Sequence, residues 1–146
     1  MLLIGIRNNT AQTVVAGGLI NLGTTYRKYC KKFDGIKTFD FNGTSLSLQQ
    51  SGIYHITATA TFTAPAAGDV TIELYENGLP TGEFATETIT TADTESRSIA
   101  LDTYVLTDSN CVLGNLSTFI DSITLVNTSA IAVDIVKVTV NVDKVA

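Results

Sequence analysis

Between Ile53 and Thr63 the chain alternates without a break. Tyr54, Ile56, Ala58, Ala60 and Phe62 occupy one parity; His55, Thr57, Thr59, Thr61 and Thr63 occupy the other. Successive side chains of an extended strand point to opposite faces, whereas a helix would scatter each parity around its axis. The segment therefore reads as a long strand with one apolar and one wet face. Threonine suits the wet face because it is β-branched, stiff at χ1 and polar.

The same period of two recurs along most of the chain. Val70, Ile72 and Leu74 alternate with Thr71, Glu73 and Tyr75. Asn77-Gly78 follows, and that dipeptide tolerates positive φ at both central positions of a hairpin turn. Phe84 to Thr90 is a weaker strand. Ser98 to Leu106 sets Ile99, Leu101, Thr103 and Val105 on one side. Phe119 to Val126 and Ile131 to Val142 close the chain. The last segment switches apolar parity at Ile135-Val136, which predicts a bulge there or a strand covered on both faces. Leu2 to Ile6, Gln12 to Val15 and Ile36 to Phe41 are shorter candidates, and Gly114 interrupts another at Val112 to Leu116. Pro65 and Pro80 both fall between strand candidates, as ladders require. No capped apolar stripe of helical spacing appears. About eight to ten short strands at regular spacing predict an all-β, antiparallel sandwich or jelly roll. With no linker or change of composition, residues 1–146 form one domain. Residues 1–35, with N-terminal strands and a basic loop, are the candidate attachment segment.

Composition narrows the chemistry. The chain has 146 residues, 16% charged side chains and a formal charge of −5. Nine Lys and Arg with no basic tract make a poor nucleic-acid binder, since phosphate neutralisation dominates that affinity. One histidine and two cysteines leave little for a metal site or a nucleophile–base pair, so neither an enzyme nor a cofactor is expected. No window approaches the ~20 apolar residues of a membrane span. The start, Met1-Leu2-Leu3-Ile4-Gly5-Ile6-Arg7, has no basic residues ahead of its short apolar run, so synthesis in a cytosol without export is expected. There, Cys30 and Cys111 default to free thiols. Asn-X-Ser/Thr triplets at Asn8, Asn42, Asn115 and Asn127 follow from a composition rich in Asn and Thr.

One stretch carries a resemblance. Gly52-Ile53-Tyr54 opening the long strand that ends at Phe62 resembles the central-strand signature of TNF/C1q-like jelly rolls. Phe39-Asp40-Phe41-Asn42-Gly43 before it resembles that family's polar-aromatic segment, and Val70 to Gly78 resembles its "v-x-L-x-x-N-G" hairpin. The opening Asn9 to Gly23 is similar to small virion-associated proteins of tailed phages. The resemblance implies a homotrimer without enzyme activity. C1q-like relatives often carry calcium, but Asp102, Asp108, Asp121 and Asp134 lack calcium-loop spacing.

On that basis Phe39, Phe41, Tyr54 and Tyr75 are candidates for the trimer interface; Tyr54, like Phe62, reads first as core, and Phe39, Phe41 and Tyr75 divide evenly between core and subunit contact. Arg27, Lys28, Lys31 and Lys32 are candidates for attachment to a capsid, or else a solvated loop or a charged edge strand. His55 is a wet or interface residue, with a pH switch as the sharper reading. The acidic stretch Glu83 to Glu95 is a solvated hairpin, or a receptor contact. The expected protein is a structural component of a phage virion: a homotrimer decorating the capsid surface and made in the bacterial cytoplasm. Its expected partners are itself and the major capsid protein or another virion protein. The alternatives are a fibre tip that binds a receptor or host surface glycan, and a free TNF/C1q-like interaction module.

Overall fold

The computed structural model describes residues 2–30, 38–107 and 121–146. Among them are eleven strands and no helix. In chain order these are β1 (Leu2–Asn8), β2 (Gln12–Val14), β3 (Thr24–Cys30), β4 (Phe39–Phe41), β5 (Leu46–Leu48), β6 (Gly52–Thr63), β7 (Gly68–Glu76), β8 (Leu79–Ile89), β9 (Arg97–Thr107), β10 (Asp121–Asn127) and β11 (Val133–Lys144). Lys31, Lys32, Asp108, Cys111, Asn115 and the Val112–Leu116 candidate lie outside the described residues.

Two antiparallel sheets face each other. One runs β3-β1-β11-β6-β9, with β2 added against β11; the other runs β4-β5-β10-β7-β8. Consecutive strands change sheet after β3, β5, β6, β8, β9 and β10, as in a jelly roll. Their facing sides form the core. Tyr54, Ile56, Ala58, Ala60 and Phe62 of β6 are all at most 5% exposed, so the inward parity read from the sequence holds along the whole strand. Opposite them lie Val70, Ile72 and Leu74 of β7 and Ile123 and Leu125 of β10. Burying each large apolar side chain contributes about 1.5–3 kcal/mol before chain entropy is counted.

Three local expectations are met by the backbone. Asn77 and Gly78 have φ of 53° and 78°, so the β7–β8 turn uses positive φ at both central positions. The parity switch in β11 is a register shift between Ile135 and Lys137, which leaves Val136 47% exposed. Ser98 to Leu106 lies within β9, with Ile99, Leu101 and Val105 buried.

Other expectations are corrected. Pro80 sits inside β8 rather than in a turn. The strand tolerates it because β8 is a sheet edge, where one missing N–H leaves no neighbour unbonded. Arg27 and Lys28 lie on β3, so the loop reading is corrected in favour of the charged edge strand. The three-residue strand β5 had no separate periodic signal, because a segment so short shows barely one alternation.

Candidate interaction surface

The outward face of the first sheet is where the polar parity of β6 lies. Cross-strand register places Asp143, His55 and Tyr104 in one row, and Asn141, Thr57 and Asp102 in the next. His55 stacks on Tyr104 with ring centroids 4.9 Å apart. Its Nε2 lies 2.6 Å from Asp102 Oδ1 and its Nδ1 lies 3.3 Å from Asp143 Oδ1. The hydrogen bond to Asp102 leads in holding the imidazole above its ordinary pKa, and Asp143 adds to it. Beside this cluster stand Ile53 (38% exposed), Tyr104 (65%) and Leu106 (63%). An apolar group among charges on an open sheet face is the arrangement that marks an interaction surface.

Two further clusters flank it. On the β3 edge, Tyr26 lies over Gly5 and donates from its hydroxyl to Asn141 Oδ1 at 3.0 Å. The Arg7 and Arg27 guanidiniums sit 4.6 and 5.7 Å from the Tyr26 ring centroid. At the opposite edge, β8 exposes Leu79 (69%) at its start and Phe84 (58%) between Glu83 and Glu87. Glu87 pairs with buried Val70 and shares its inward parity, yet is exposed, whereas Ala85 packs against the core and Ile89 is buried in it.

The interface candidates separate. Tyr54 is fully buried; its hydroxyl donates to the Gln50 carbonyl at 2.7 Å, and burial, with Asp121 adding, pushes the phenol up to about 12. A side chain so enclosed contacts no second subunit, which corrects that assignment in favour of the core. Phe39 and Phe41 are half-buried and pack against the core from β4. Tyr75 is half-buried on β7. None of the four joins the His55 cluster. Arg27 and Lys28 do come together on one exposed edge, with Lys28 Nζ 5.9 Å from the Phe39 ring centroid.

Sequence reasoning passed over Tyr104, Leu106 and Asp143. The signal for the first two was present: they are large apolar residues on the parity opposite Ile99, Leu101 and Val105. Asp143 carried no local signal, since it meets His55 only through the β11–β6 register. Among the described residues no group of three or more His, Cys, Asp or Glu side chains is placed to hold a metal ion.

A shallow polar groove lies at the end of β1 and β2. It encloses about 660 Å³ and is lined by Arg7, Asn8, Asn9, Thr10, Gln12 and Asn21 among others, with no carboxylate. Gln12 clasps the Asn21 backbone through both amide atoms, at 2.7 and 2.9 Å.

No protein-family model and no curated protein matches the chain. Solved structures do match in shape. The globular domain of zebrafish complement 1qA protein aligns with TM-score 0.65 at 7% identity, covering 100% of this chain and 98% of that one. Eiger TNF from S. frugiperda aligns with TM-score 0.55 at 10% identity, covering 100% and 94%. PRD1 vertex protein P5 aligns with TM-score 0.52 at 13% identity, covering 99% and 97%. The fold is therefore a TNF/C1q-like jelly roll, as the Gly52-Ile53-Tyr54 and Asn77-Gly78 segments implied.

Proposed function

We propose that this chain is a non-enzymatic structural protein of a phage virion that acts as a homotrimer on the capsid surface. The observation that carries the reading is the uncovered apolar group Ile53, Tyr104 and Leu106 on the outward face of the first sheet. A sandwich that keeps such side chains in water lowers its free energy by laying them against another subunit. Fold neighbours support a virion role: one of the matched structures is the vertex protein P5 of PRD1. A symmetric oligomer suits attachment to a lattice, because weak contacts repeated on each protomer add as avidity. Arg27 and Lys28, exposed on β3, are the residues assigned to the capsid contact. Light scattering of the purified chain should give three times 15.5 kDa at micromolar concentration, and purified virions should carry a band at 15.5 kDa in hundreds of copies. A monomer mass or a virion without the band overturns the reading.

The carboxylate-free groove supports a second reading, a fibre tip that binds a host surface glycan. Its amides and hydroxyls match the donors and acceptors of a sugar. Binding of the isolated protein to a glycan array, with low copy number on the particle, would favour it.

A further inference from the structure

The groove at the end of β1 and β2 is braced by side chains that bind its own walls. The Asn8 amide donates to the Asn21 carbonyl at 3.0 Å and accepts from the Thr10 N–H at 2.9 Å. Asn21 Oδ1 in turn accepts from the Gly23 N–H at 2.8 Å. Gly23, with φ of 85°, lies so close to β1 that a Cβ there would collide with the Arg7 carbonyl oxygen. Together with the Gln12 clasp, these contacts fix the backbone around the groove before any ligand arrives. Other polar groups on the lining are left over: the Asn9 amide and the Thr10 and Thr24 hydroxyls have no hydrogen-bond partner among the described residues. Arg7 is exposed and lines the same groove. Its guanidinium rests on the Tyr26 ring, 4.6 Å from the centroid, and among the described residues it meets neither a carboxylate nor a hydrogen-bond acceptor. A cation without a counter-ion, on a wall that holds no Asp or Glu, leaves room for an anion brought by a ligand.

We infer that this groove takes an acidic saccharide, with its carboxylate on Arg7 and its ring hydroxyls on Asn9, Thr10 and Thr24. This deepens the glycan reading of the same groove and rests on it. A guanidinium presents a planar fork of N–H donors that matches a carboxylate through two parallel hydrogen bonds. A phosphate or sulfate would call for further cations or converging backbone N–H groups, and Arg7 is the one cation on the lining. Amides and hydroxyls both donate and accept, as the hydroxyls of a sugar ring do. The volume of about 660 Å³ falls within the range of small-molecule sites. Because the walls are already bound to one another, little backbone freedom is lost when a ligand enters. Arg27, assigned above to the capsid contact, does not line the groove, so the two roles use different residues.

The test is an array of matched neutral, sulfated, uronate-bearing and sialate-bearing oligosaccharides probed with the full chain, followed by calorimetric titration of the sugars that bind. The carboxylated sugars should bind in preference to the neutral and sulfated ones, and the uronate and sialate arms show which source of the carboxylate is used. Converting the carboxyl of a bound sugar to its methyl ester should weaken binding about tenfold or more. Arg7 is exposed, so Arg7→Gln should fold with unchanged circular dichroism, and it should lose a similar factor toward the acid. The two losses should not add, because the ester and the substitution remove the same contact. Thr10→Ala should weaken acid and ester alike. If neutral or sulfated sugars bind as tightly as carboxylated ones, or if the ester and Arg7→Gln losses add, the acidic assignment is wrong while the glycan reading stands. If no sugar of any class binds, the glycan reading itself falls.

Discussion

The His55 imidazole and the Asp102 carboxylate, on neighbouring strands and 47 residues apart in the chain, meet at 2.6 Å on the outward face of the sandwich. Asp143 approaches the other ring nitrogen at 3.3 Å, so a protonated His55 serves two carboxylates. Its folded pKa is raised, and the unfolded value is near 6.5. The stabilisation it brings is therefore fully present below about pH 6.5 and is lost as pH rises through the folded value. Melting temperature should fall across that interval. An NMR titration should place the His55 pKa above its ordinary value, and Asp102→Asn should bring it down more than Asp143→Asn does. A His55 pKa unmoved by Asp102→Asn would contradict the pairing.

Glu95 organises the turn between β8 and β9. Its Oε2 accepts from the Thr90 hydroxyl and backbone N–H at 2.7 Å each and from the Thr91 N–H at 2.9 Å, while Oε1 faces Arg97. These donors, the Thr90 hydroxyl foremost, hold the carboxyl down to about 2. A depressed folded pKa gives stability that is present above the unfolded value of about 4.5 and lost as pH falls through about 2. Glu95→Gln should lower the melting temperature at pH 7 and flatten the acid limb of a stability–pH curve. An acid limb identical to wild type would count against this role.

Asn127 is fully buried, and its amide closes a knot between distant segments. Nδ2 donates to the carbonyls of Val14, Val15 and Ile131 at 3.1, 3.2 and 3.0 Å, and Oδ1 accepts from the Ser129 N–H at 3.0 Å. Asn127→Ala removes the partner of the buried Val14 carbonyl and Ser129 N–H, which should cost about 1–3 kcal/mol in urea unfolding. Asn127→Asp should cost more, because a carboxylate would face three carbonyl oxygens. The Asn-Thr-Ser triplet at this position is thus structural, its amide fully engaged.

Phe62 and Tyr104 separate folding from assembly. Phe62 is enclosed on the inward side of β6, and Phe62→Ala should cost about 3–5 kcal/mol of monomer stability. Tyr104, 65% exposed on the outward side of β9, should behave oppositely. Tyr104→Ser should leave the urea midpoint of a dilute, dissociated sample nearly unchanged and shift the sedimenting mass toward monomer. Equal losses of monomer stability in both variants would show that Tyr104 belongs to the core.

Gly5 is shaped by what lies on it. A Cβ there would come within 2.8 Å of the Tyr26 ring, so Gly5→Ala must push the ring off the sheet and break its bond to Asn141. The variant should raise the accessibility of Tyr26 to fluorescence quenchers while the far-ultraviolet circular dichroism stays that of a β protein. Unchanged quenching would mean that Tyr26 does not rest on Gly5.

Much of this molecule was readable one segment at a time. The side-chain alternation of β6 and β9, the positive-φ turn at Asn77-Gly78 and the parity break near Ile135 are local consequences of backbone geometry, so residues close in sequence suffice to reveal them. Which strands become neighbours is a different matter. Sheet order brings Asp143 to His55, delivers Val14 and Ile131 to Asn127, and makes β3 and β8 edges. Those placements depend on the register between strands far apart in the chain. That register is chosen by how well the whole set of inward faces packs, a sum over the assembled core that no short window of sequence contains.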